Sequence, residues 1–390
     1  GHHRVGGGVE ALVVDGAAHG PIRPPRHGHR GWVGPVHGAP VASAPMVSVD
    51  SPFLRACRGE PHDRVPVWFM RQAGRSLPEY RAIRGSGSIT EAIRNPDLAT
   101  EITLQPVHRY GTDAAILYSD IVTPLEAIGF GVEVKPGVGP VVERPFESAA
   151  DLDRIVPLDP EGHTPFVLQT VRNLVAELGD VPLIGFAGAP FTVASYLIEG
   201  GPSRTYVKTK TLMYAQPELF ATLLDRLADL ALASLHSQVA AGASAIQLFD
   251  SWAGALSPSD YRRHVLPASQ KVFAGIATTG VPRIHFGVNT GELLPLMHEA
   301  GADVVGVDWR VDLDDARARL GDDVALQGNL DPTTILAGAD VAVDRARDVL
   351  RRADGHRGHV FNLGHGVMPE SDPDVLKRVI DTVHAEGKVR

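Results

Sequence analysis

The feature that most constrains the fold is a series of eight apolar segments, each five residues long and each followed by a helical pattern. They are residues 66–70, 114–118, 182–186, 245–249, 283–287, 304–308, 324–328 and 359–363. Short continuous apolar runs are typical of strands that are buried on both faces of a sheet. Eight such strands alternating with helices predict a single (β/α)8 barrel of the TIM type. An open doubly wound sheet is the alternative that the pattern leaves open.

Pairs of a polar residue and a proline mark where three connecting helices begin. A capping residue followed by proline occurs at 164–165 and 372–373, and the pair at 216–217 opens a long third helix. Glycines predict the ends of these helices, at Gly179, Gly387 and near Gly242. The last helix has an apolar face, formed by Val375, Leu376, Val379, Ile380 and Val383.

The first 45 residues differ from the rest of the chain. Residues 1–45 hold ten Gly, six Pro and six His, with almost no periodic apolar pattern. We therefore expect a disordered or irregular extension before a barrel formed by residues 46–390. The extension lacks the apolar core of a signal peptide, so no secretory leader is expected. Its histidines suit a metal-binding tract as well as a solvated tail, and the tail is the favoured interpretation.

The charge balance and the cysteine count exclude several classes of function. Lys plus Arg number 37 against 46 Asp plus Glu, a formal charge of −9, which disfavours nucleic acid as a partner. No apolar run approaches the roughly 18 residues of a membrane span. The single cysteine, Cys57, leaves an internal disulfide and a thiolate metal site without partners. We expect a cytoplasmic protein without a bound metal.

Polar residues follow the predicted strands at the positions that form the mouth of such a barrel, the end at which an active site lies. They are Arg71, Gln72, Arg75, Ser119, Asp120, Asp250, Ser251, Asp308, Asn329 and His365. A residue at such a position either faces a substrate or bonds to its own loop. For Ser119, Asp308 and Asn329 we favour the loop interpretation.

The segment after the first predicted strand, RQAGRSLPEYRAIR (71–84), holds four arginines against one acidic residue. The planar guanidinium matches a carboxylate or a phosphate group. For Arg71 and Arg75 we favour a polyanion site, whereas for Arg81 and Arg84 a surface ion pair is an equal alternative. Residues 85–88, Gly-Ser-Gly-Ser, have the composition of a movable lid.

Asp120 has two interpretations at this stage. Its carboxylate either pairs with one of the arginines or accepts N–H groups from a substrate, because an ionised carboxylate is an acceptor with room for several donors. Spacing along the sequence does not decide between them.

Several motifs of cofactor chemistry are absent from the sequence. It has no GxxxxGK[ST] phosphate loop and no HExxH zinc motif. No lysine ends any of the eight segments, which disfavours Schiff-base chemistry.

Several sequence motifs are specific enough to indicate a family. The most specific is PVWFMRQAGRSLPEYR (66–81), and further stretches follow it at residues 118–124, 185–201, 247–254, 285–294, 306–310, 327–332 and 361–373. Through these motifs the chain, from about Val65 onward, resembles the uroporphyrinogen decarboxylase family of tetrapyrrole biosynthesis. The resemblance implies a barrel, usually a homodimer, that removes the four acetate carboxylates of uroporphyrinogen III without a cofactor. The extension before Met46 departs from the family pattern.

Site residues follow from the resemblance by position. The stretch 71–75 would hold substrate carboxylates: Arg71, Gln72, Ala73, Gly74 and Arg75. Asp120 would sit at the centre of the macrocycle, and Tyr196, Ser251 and His365 would contact carboxylates or ring edges. Arg84 would add charge at the rim. Asp120, Arg71 and Tyr196 are the expected catalytic residues, no residue is expected to bind a metal, and the proton donor stays open between Tyr196 and His365.

Two other functions remain open. One is a cobalamin- or thiol-dependent methyltransferase on the same barrel, whose relatives carry a zinc-binding His-x-Cys pair. Here that position has His285, Phe286 and Gly287, which disfavours zinc–thiolate chemistry. The other is a porphyrinogen carrier without activity, which the presence of Asp120 and Arg71 disfavours.

Overall fold

The structure is a computed structural model, and it describes residues 50–85, 87–135 and 137–390. The predicted extension 1–45 lies outside the described residues, and so does Ser86 of the predicted lid.

Seven of the eight predicted strands form one parallel sheet whose order follows the chain, β1-β4-β5-β6-β7-β8-β9. A separate pair, β2 and β3, is antiparallel. The strands are β1 Ala115–Ile116, β2 Val132–Lys135, β3 Gly139–Val142, β4 Leu183–Gly188, β5 Ala245–Asp250, β6 Arg283–Gly287, β7 Val304–Gly306, β8 Ala325–Gln327 and β9 His359–Val360. Each strand of the large sheet pairs in parallel with its neighbour along the chain, as a barrel requires.

The remaining predicted segment, residues 66–70, comes first in the chain and lies between the two edge strands of the sheet, β9 and β1. Val67 bridges Phe361 in parallel, just after β9. On its other side the Val67 carbonyl accepts a hydrogen bond from Asp113 N at 2.7 Å, just before β1. Met70 N donates to Asn362 Oδ1 at 3.0 Å, between residues 292 positions apart. This segment closes the ring, so the structure confirms the TIM-type barrel and not the open sheet.

Helices connect the strands and cover the outside of the barrel. They are α1 Pro52–Cys57, α2 Pro78–Arg84, α3 Ile89–Ile93, α4 Pro96–Tyr110, α5 Thr123–Ala127, α6 Pro160–His163, α7 Pro165–Glu177, α8 Pro190–Glu199, α9 Val207–Ala215, α10 Pro217–Ala241, α11 Pro258–Asp260, α12 Leu266–Ala277, α13 Leu294–Glu299, α14 Leu313–Leu320, α15 Thr333–Leu336, α16 Ala339–Ala353 and α17 Pro373–Glu386. None of the described helices is long and apolar enough to cross a membrane.

The three predicted helices α7, α10 and α17 are confirmed, with one error in a cap. Asp372 caps α17, since its Oδ1 accepts from Asp374 N at 2.9 Å. Thr164 does not cap α7; its hydroxyl donates to the Pro160 carbonyl at 3.1 Å. A short helix, α6, ends directly before α7. The Thr164 hydroxyl, which the sequence predicts as the cap of α7, instead donates to a carbonyl of α6.

The interior of the barrel is filled, partly by polar side chains. Trp68 Nε1 donates to Gln327 Oε1 at 3.0 Å, and Gln327 Nε2 donates to Gln247 Oε1 at 2.9 Å. All three side chains are buried. A ligand therefore has no room inside the barrel and must bind at its mouth.

Candidate active site

The arginine loop after the first barrel strand has an unusual backbone. Arg71 has φ 58° and Arg75 has φ 45°, a left-handed conformation that costs a residue with a side chain about 1–2 kcal/mol. The one acidic residue of the loop, Glu79, pairs with Arg109 at 3.1 Å and not with a loop arginine. Arg71 and Arg75 have no ion-pair partner within 4.0 Å among the described residues. Two arginines are thus held in strained positions without a direct ion pair among the described residues.

Gln72, expected among the substrate-binding residues, points into the protein. Its Oε1 accepts from Phe69 N at 3.0 Å, and its Nε2 donates to the Ala114 carbonyl at 3.0 Å. The residue is 1% exposed. Its amide therefore fastens the arginine loop to β1, and a side-chain contact with a substrate at the mouth is not what the geometry supports.

His365 and Arg71 come together across the junction of the first and last barrel strands. The segment before and after His365 is tied down, because Gly364 N donates to Leu330 O at 2.7 Å and Val367 N donates to Met70 O at 2.8 Å. Burial, followed by the charges of Arg71, Arg75 and Arg310, lowers the pKa of His365 to about 4. His365 is therefore a neutral imidazole at neutral pH.

Asp120 follows β1 and faces Arg71 without pairing with it. Its Oδ1 accepts from Val122 N at 3.0 Å, and none of the described cations forms an ion pair within 4.0 Å of the carboxylate. Desolvation raises the pKa of Asp120 against the opposing effects of Val122 N–H and the Arg71 charge. The simple ion pair is thus not the arrangement seen, and the carboxylate keeps an acceptor free.

Tyr196, on α8, completes one wall of the mouth. Its ring stacks on Trp252 with centroids 3.9 Å apart. Burial and the charge of Asp120 raise the pKa of Tyr196 to about 12, against the effect of Arg71. The phenol therefore keeps its proton at neutral pH. Ser251, next to Trp252, is half-buried between β5 and this aromatic pair.

A buried polar network holds the aromatic wall in place. Thr192 Oγ1 donates to Asp250 Oδ1 at 2.8 Å and accepts from Trp252 N at 3.2 Å. Behind it, His285 Nε2 lies 3.6 Å from Asp250 Oδ2, with both side chains fully buried. Because Thr192 is on the same helix as Tyr196, the network fixes both stacked rings.

Arg84, expected at the rim, is held by an aromatic ring and a backbone carbonyl. Its guanidinium is 5.6 Å from the centroid of the Tyr80 ring and donates to the Gly87 carbonyl at 2.9 Å. Tyr80 in turn contacts Tyr118 through their hydroxyls at 3.1 Å. Arg84 is therefore placed at the rim by an aromatic contact and not by a surface ion pair.

The interpretation that the side chain bonds to its own loop is confirmed for Ser119 and Asp308, whereas Asn329 bonds to the neighbouring loop after β7. Ser119 Oγ donates to Thr123 Oγ1 at 3.3 Å. Asn329 Nδ2 donates to the Asp308 carbonyl at 3.0 Å. The Asp308 carboxylate accepts from Arg310 N at 3.0 Å. These residues shape the loops of the mouth.

Sequence analysis missed Trp252, Thr192 and Arg310. Arg310 lies two positions beyond Asp308, so the rule that selected residues just past each strand would have found it if extended by two residues. Thr192 and Trp252 had no such signal, since a threonine inside a helix and an apolar ring are both ordinary.

The mouth thus combines one desolvated carboxylate, a protonated phenol, a neutral imidazole and two arginines that have no ion-pair partner in the described part of the chain. Such a set binds a ligand with several carboxylates and stabilises a positive charge at its centre. Among the described residues no group of three or more His, Cys, Asp or Glu is arranged to hold a metal ion.

Comparison with known proteins gives the relationships of the chain. A family model described as uroporphyrinogen decarboxylase (URO-D) matches residues 49–386. The uroporphyrinogen decarboxylase of Streptomyces coelicolor is 58% identical over 348 residues, 89% of this chain and 98% of that protein. The uroporphyrinogen decarboxylase of Salinispora tropica is 62% identical over 335 residues, 86% of this chain and 90% of that protein. Among solved structures, a methyltransferase from Methanosarcina mazei has a TM-score of 0.69 at 21% identity, covering 86% of this chain and 98% of its own, a likeness of fold alone.

Proposed function

The chain belongs to the uroporphyrinogen decarboxylase family, and from this premise we propose that it converts uroporphyrinogen III to coproporphyrinogen III at the mouth of the barrel. The reaction removes four acetate carboxylates as carbon dioxide and is a carboxy-lyase step of tetrapyrrole (haem) biosynthesis. The observation that carries the proposal is the desolvated Asp120, which faces Arg71 and forms no ion pair with any residue that the structure describes.

Arginines bind the carboxylates of the substrate. The porphyrinogen has eight carboxylates and four pyrrole N–H groups. Arg71 and Arg75 lack ion-pair partners among the described residues, so their donors are available to an incoming anion. Ala73 and Gly74 lie between them, and their small size allows the backbone to approach the substrate closely. Arg84 adds charge at the rim.

Asp120 stabilises the charge that develops in the ring. Protonation of the ring carbon next to the one that bears the acetate arm makes that pyrrole ring cationic. The bond between the arm and its carboxylate then breaks, the electron pair moves into the ring, and carbon dioxide leaves. The ring carbon returns its proton as the exocyclic carbon gains one, which leaves a methyl group. A desolvated carboxylate at the pyrrole N–H groups favours the cationic stage, and the ring itself serves as the electron sink.

We propose Tyr196 as the proton donor, because its side chain, unlike that of His365, carries a proton to give at neutral pH. With a pKa of about 4, His365 carries no second proton at neutral pH. Tyr196 keeps its proton, which burial and the Asp120 charge hold more tightly than in a free phenol. Arg71 is a poor acid because a guanidinium does not give up its proton in proteins. His365 and Ser251 then contact substrate carboxylates or ring edges as hydrogen-bonding groups.

We further propose that the protein acts as a homodimer in the cytoplasm. The location is supported by the single cysteine in the sequence, Cys57, since secreted proteins commonly use disulfides. The dimer is supported by the family resemblance. Sedimentation of the purified protein at micromolar concentration tests it.

The methyltransferase alternative has little support in the geometry. His285 is fully buried against Asp250, away from the mouth. Cys57 is 2% exposed, and burial raises the pKa of its thiol well above its usual range. A buried neutral thiol is a poor zinc ligand and a poor nucleophile.

The reaction itself is tested by anaerobic incubation with uroporphyrinogen III, followed by oxidation and chromatography of the porphyrins. Coproporphyrin is expected, with transient seven-, six- and five-carboxylate species. Unchanged uroporphyrin with a folded protein would reject the proposal, and the same protein binding uroporphyrin without turnover would favour a carrier.

A further inference from the structure

Arg310 lies at the mouth of the barrel just beyond β7, and the protein binds one edge of its guanidinium. Its Nη1 contacts Asp308 Oδ2 at 2.5 Å, and its own backbone N–H donates to Asp308 Oδ1 at 3.0 Å. Its guanidinium carbon lies 4.0 Å from the centroid of the Trp309 ring. One carboxylate and one aromatic face therefore fix both the position and the plane of the guanidinium.

The residue that holds Arg310 is itself rigid. Asp308 is 2% exposed and also accepts a hydrogen bond from the backbone N–H of Asn289. Asn329 Nδ2 fixes the backbone by donating to the Asp308 carbonyl at 3.0 Å. An arginine on such a support loses little side-chain freedom when it binds an anion.

The other edge of the Arg310 guanidinium has no protein partner. Its Nε and Nη2 atoms donate to no acceptor among the described residues, and 43% of the side chain is exposed. An ordinary surface ion pair would not need a buried aspartate and an aromatic face to hold it. The free edge presents two parallel N–H donors, Nε and Nη2, and is therefore preorganised to bind a carboxylate.

Arg310 points toward the same centre as the arginine loop. Trp309 lies edge-on to His365 with ring centroids 6.5 Å apart. A Cβ atom on Gly364 would come within 2.4 Å of Trp309 N, so the two segments are in close contact. The charge of Arg310 also acts on His365 together with those of Arg71 and Arg75. His365 thus lies between Arg310 on one side and the arginine loop on the other.

We propose that Arg310 binds a carboxylate of the substrate on the side of the mouth opposite the Arg71–Arg75 loop, and so positions the macrocycle. The proposal rests on the proposed function. An anion with eight carboxylates has more charge than the arginine loop can neutralise, and a single cluster would leave the far side of a flexible ring free to tilt. A second, fixed contact prevents that tilt.

Steady-state kinetics on Arg310→Gln and Arg310→Lys test the proposal. For the first decarboxylation of uroporphyrinogen III, Arg310→Gln is expected to raise KM about five- to twenty-fold, because a charge-assisted hydrogen bond is lost. The value of kcat should change less than about threefold, since binding and not chemistry is affected. Arg310→Lys keeps the charge and should restore KM only in part.

A matched control removes an arginine away from the mouth. Arg319, on α14, pairs with Glu292 at 3.3 Å and is 38% exposed, so Arg319→Gln should leave KM unchanged. A KM of Arg310→Gln equal to that of the parent, with or without a lower melting temperature, overturns the proposal, because Arg310 would then serve only Asp308.

A binding measurement separates this proposal from the proposed function. Oxidised uroporphyrin is titrated against each variant and followed by quenching of tryptophan fluorescence. Weaker binding by Arg310→Gln than by Arg319→Gln supports the Arg310 contact even if the parent proves to have no decarboxylase activity. Equal binding by the two variants counts against it even if the parent is active.

Discussion

Gly366 lies directly against the side chain of Arg71. A Cβ atom at position 366 would come within 2.5 Å of Arg71 Cδ and 2.8 Å of Arg71 Cγ. Since Cγ and Cδ lie close to the backbone of Arg71, the side chain cannot avoid a methyl group without leaving its position. The absence of a side chain at 366 is therefore a condition for the placement of the guanidinium.

Gly366→Ala should accordingly act as an indirect mutation of Arg71. We expect kcat/KM to fall by at least about tenfold, because the displaced guanidinium loses a contact worth roughly 1.5–3 kcal/mol. Gly201→Ala is the control, since a Cβ there meets only the Pro140 carbonyl at 3.6 Å. Equal kinetics for the two variants would show that Arg71 has room to move.

Asp120→Asn should lower turnover much more than stability. The change keeps the shape but removes the charge and turns an amide donor toward the pyrrole N–H groups. Groups that stabilise a transition-state charge contribute roughly 3–4 kcal/mol, so single-turnover rates should fall about a hundred- to a thousandfold. The melting temperature should hold or rise, because the carboxylate is desolvated and lacks an ion pair among the described residues.

Asp120→Glu provides the comparison for that variant. It keeps the charge and moves it by one methylene group into the space of the ring, so its rate should be intermediate. An Asp120→Asn protein that melts earlier but turns over at nearly the parental rate would remove Asp120 from the mechanism.

Arg75→Ala should weaken apparent substrate affinity by about tenfold or more, since a charge-assisted hydrogen bond is lost. Burial and the charge of Arg71 lower the pKa of Arg75 to about 10, which still leaves it charged at neutral pH. Arg75→Lys should recover only part of the affinity, because a lysine lacks the planar fork. Arg81→Ala, whose side chain donates to the Ser76 carbonyl, is the control. Parental kinetics in Arg75→Lys would argue against two-point recognition.

Buried His359 should make the free energy of unfolding depend on pH. Burial lowers its pKa to about 4, while the unfolded chain titrates near 6.5. Between those values the unfolded chain binds a proton that the folded chain does not, so stability falls as the pH drops from about 6.5 to 4. The loss is about 3 kcal/mol. Urea unfolding at several pH values should show a shallower slope in His359→Gln, and His108→Gln, at an exposed position, is the control.

Removal of residues 1–45 should leave melting temperature and turnover unchanged. That segment supplies almost no periodic apolar pattern in the sequence, and the family model begins its match at residue 49. A folded truncation that has lost most of its activity would show that the extension takes part in the function.

Sequence reasoning found the barrel because its strands are buried on both faces, which leaves a continuous apolar pattern in each of the eight segments. It missed the hairpin Val132–Lys135 and Gly139–Val142, whose residues alternate between buried and exposed over only four positions. It placed Gln72 at the mouth because adjacency in sequence says nothing about side-chain direction. The hydrogen bonds of Gln72 to Phe69 and Ala114 depend on tertiary structure.

The arginine loop could be found from composition, but its geometry could not. No sequence pattern shows that Arg71 and Arg75 have positive φ angles, or that Gly366, far along the chain, gives Arg71 its space. The same limit applies to Arg310. Only the tertiary structure shows that Asp308 binds one edge of its guanidinium and Trp309 covers one face, which leaves the other edge free.

The closure of the ring by the first barrel strand has a consequence for synthesis on the ribosome. That strand finds its partners at Phe361 and Asn362, nearly 300 residues further along the chain. Arg71 and His365 lie on the two sides of this seam, so the binding site is assembled only after the segment that contains His365 has been synthesised. A growing chain therefore contains the arginine loop before His365 can pack beside it, and its binding site is incomplete until the seam closes. The long loop that must close also makes this seam the slowest pairing to form, and the first place where a destabilised barrel should open.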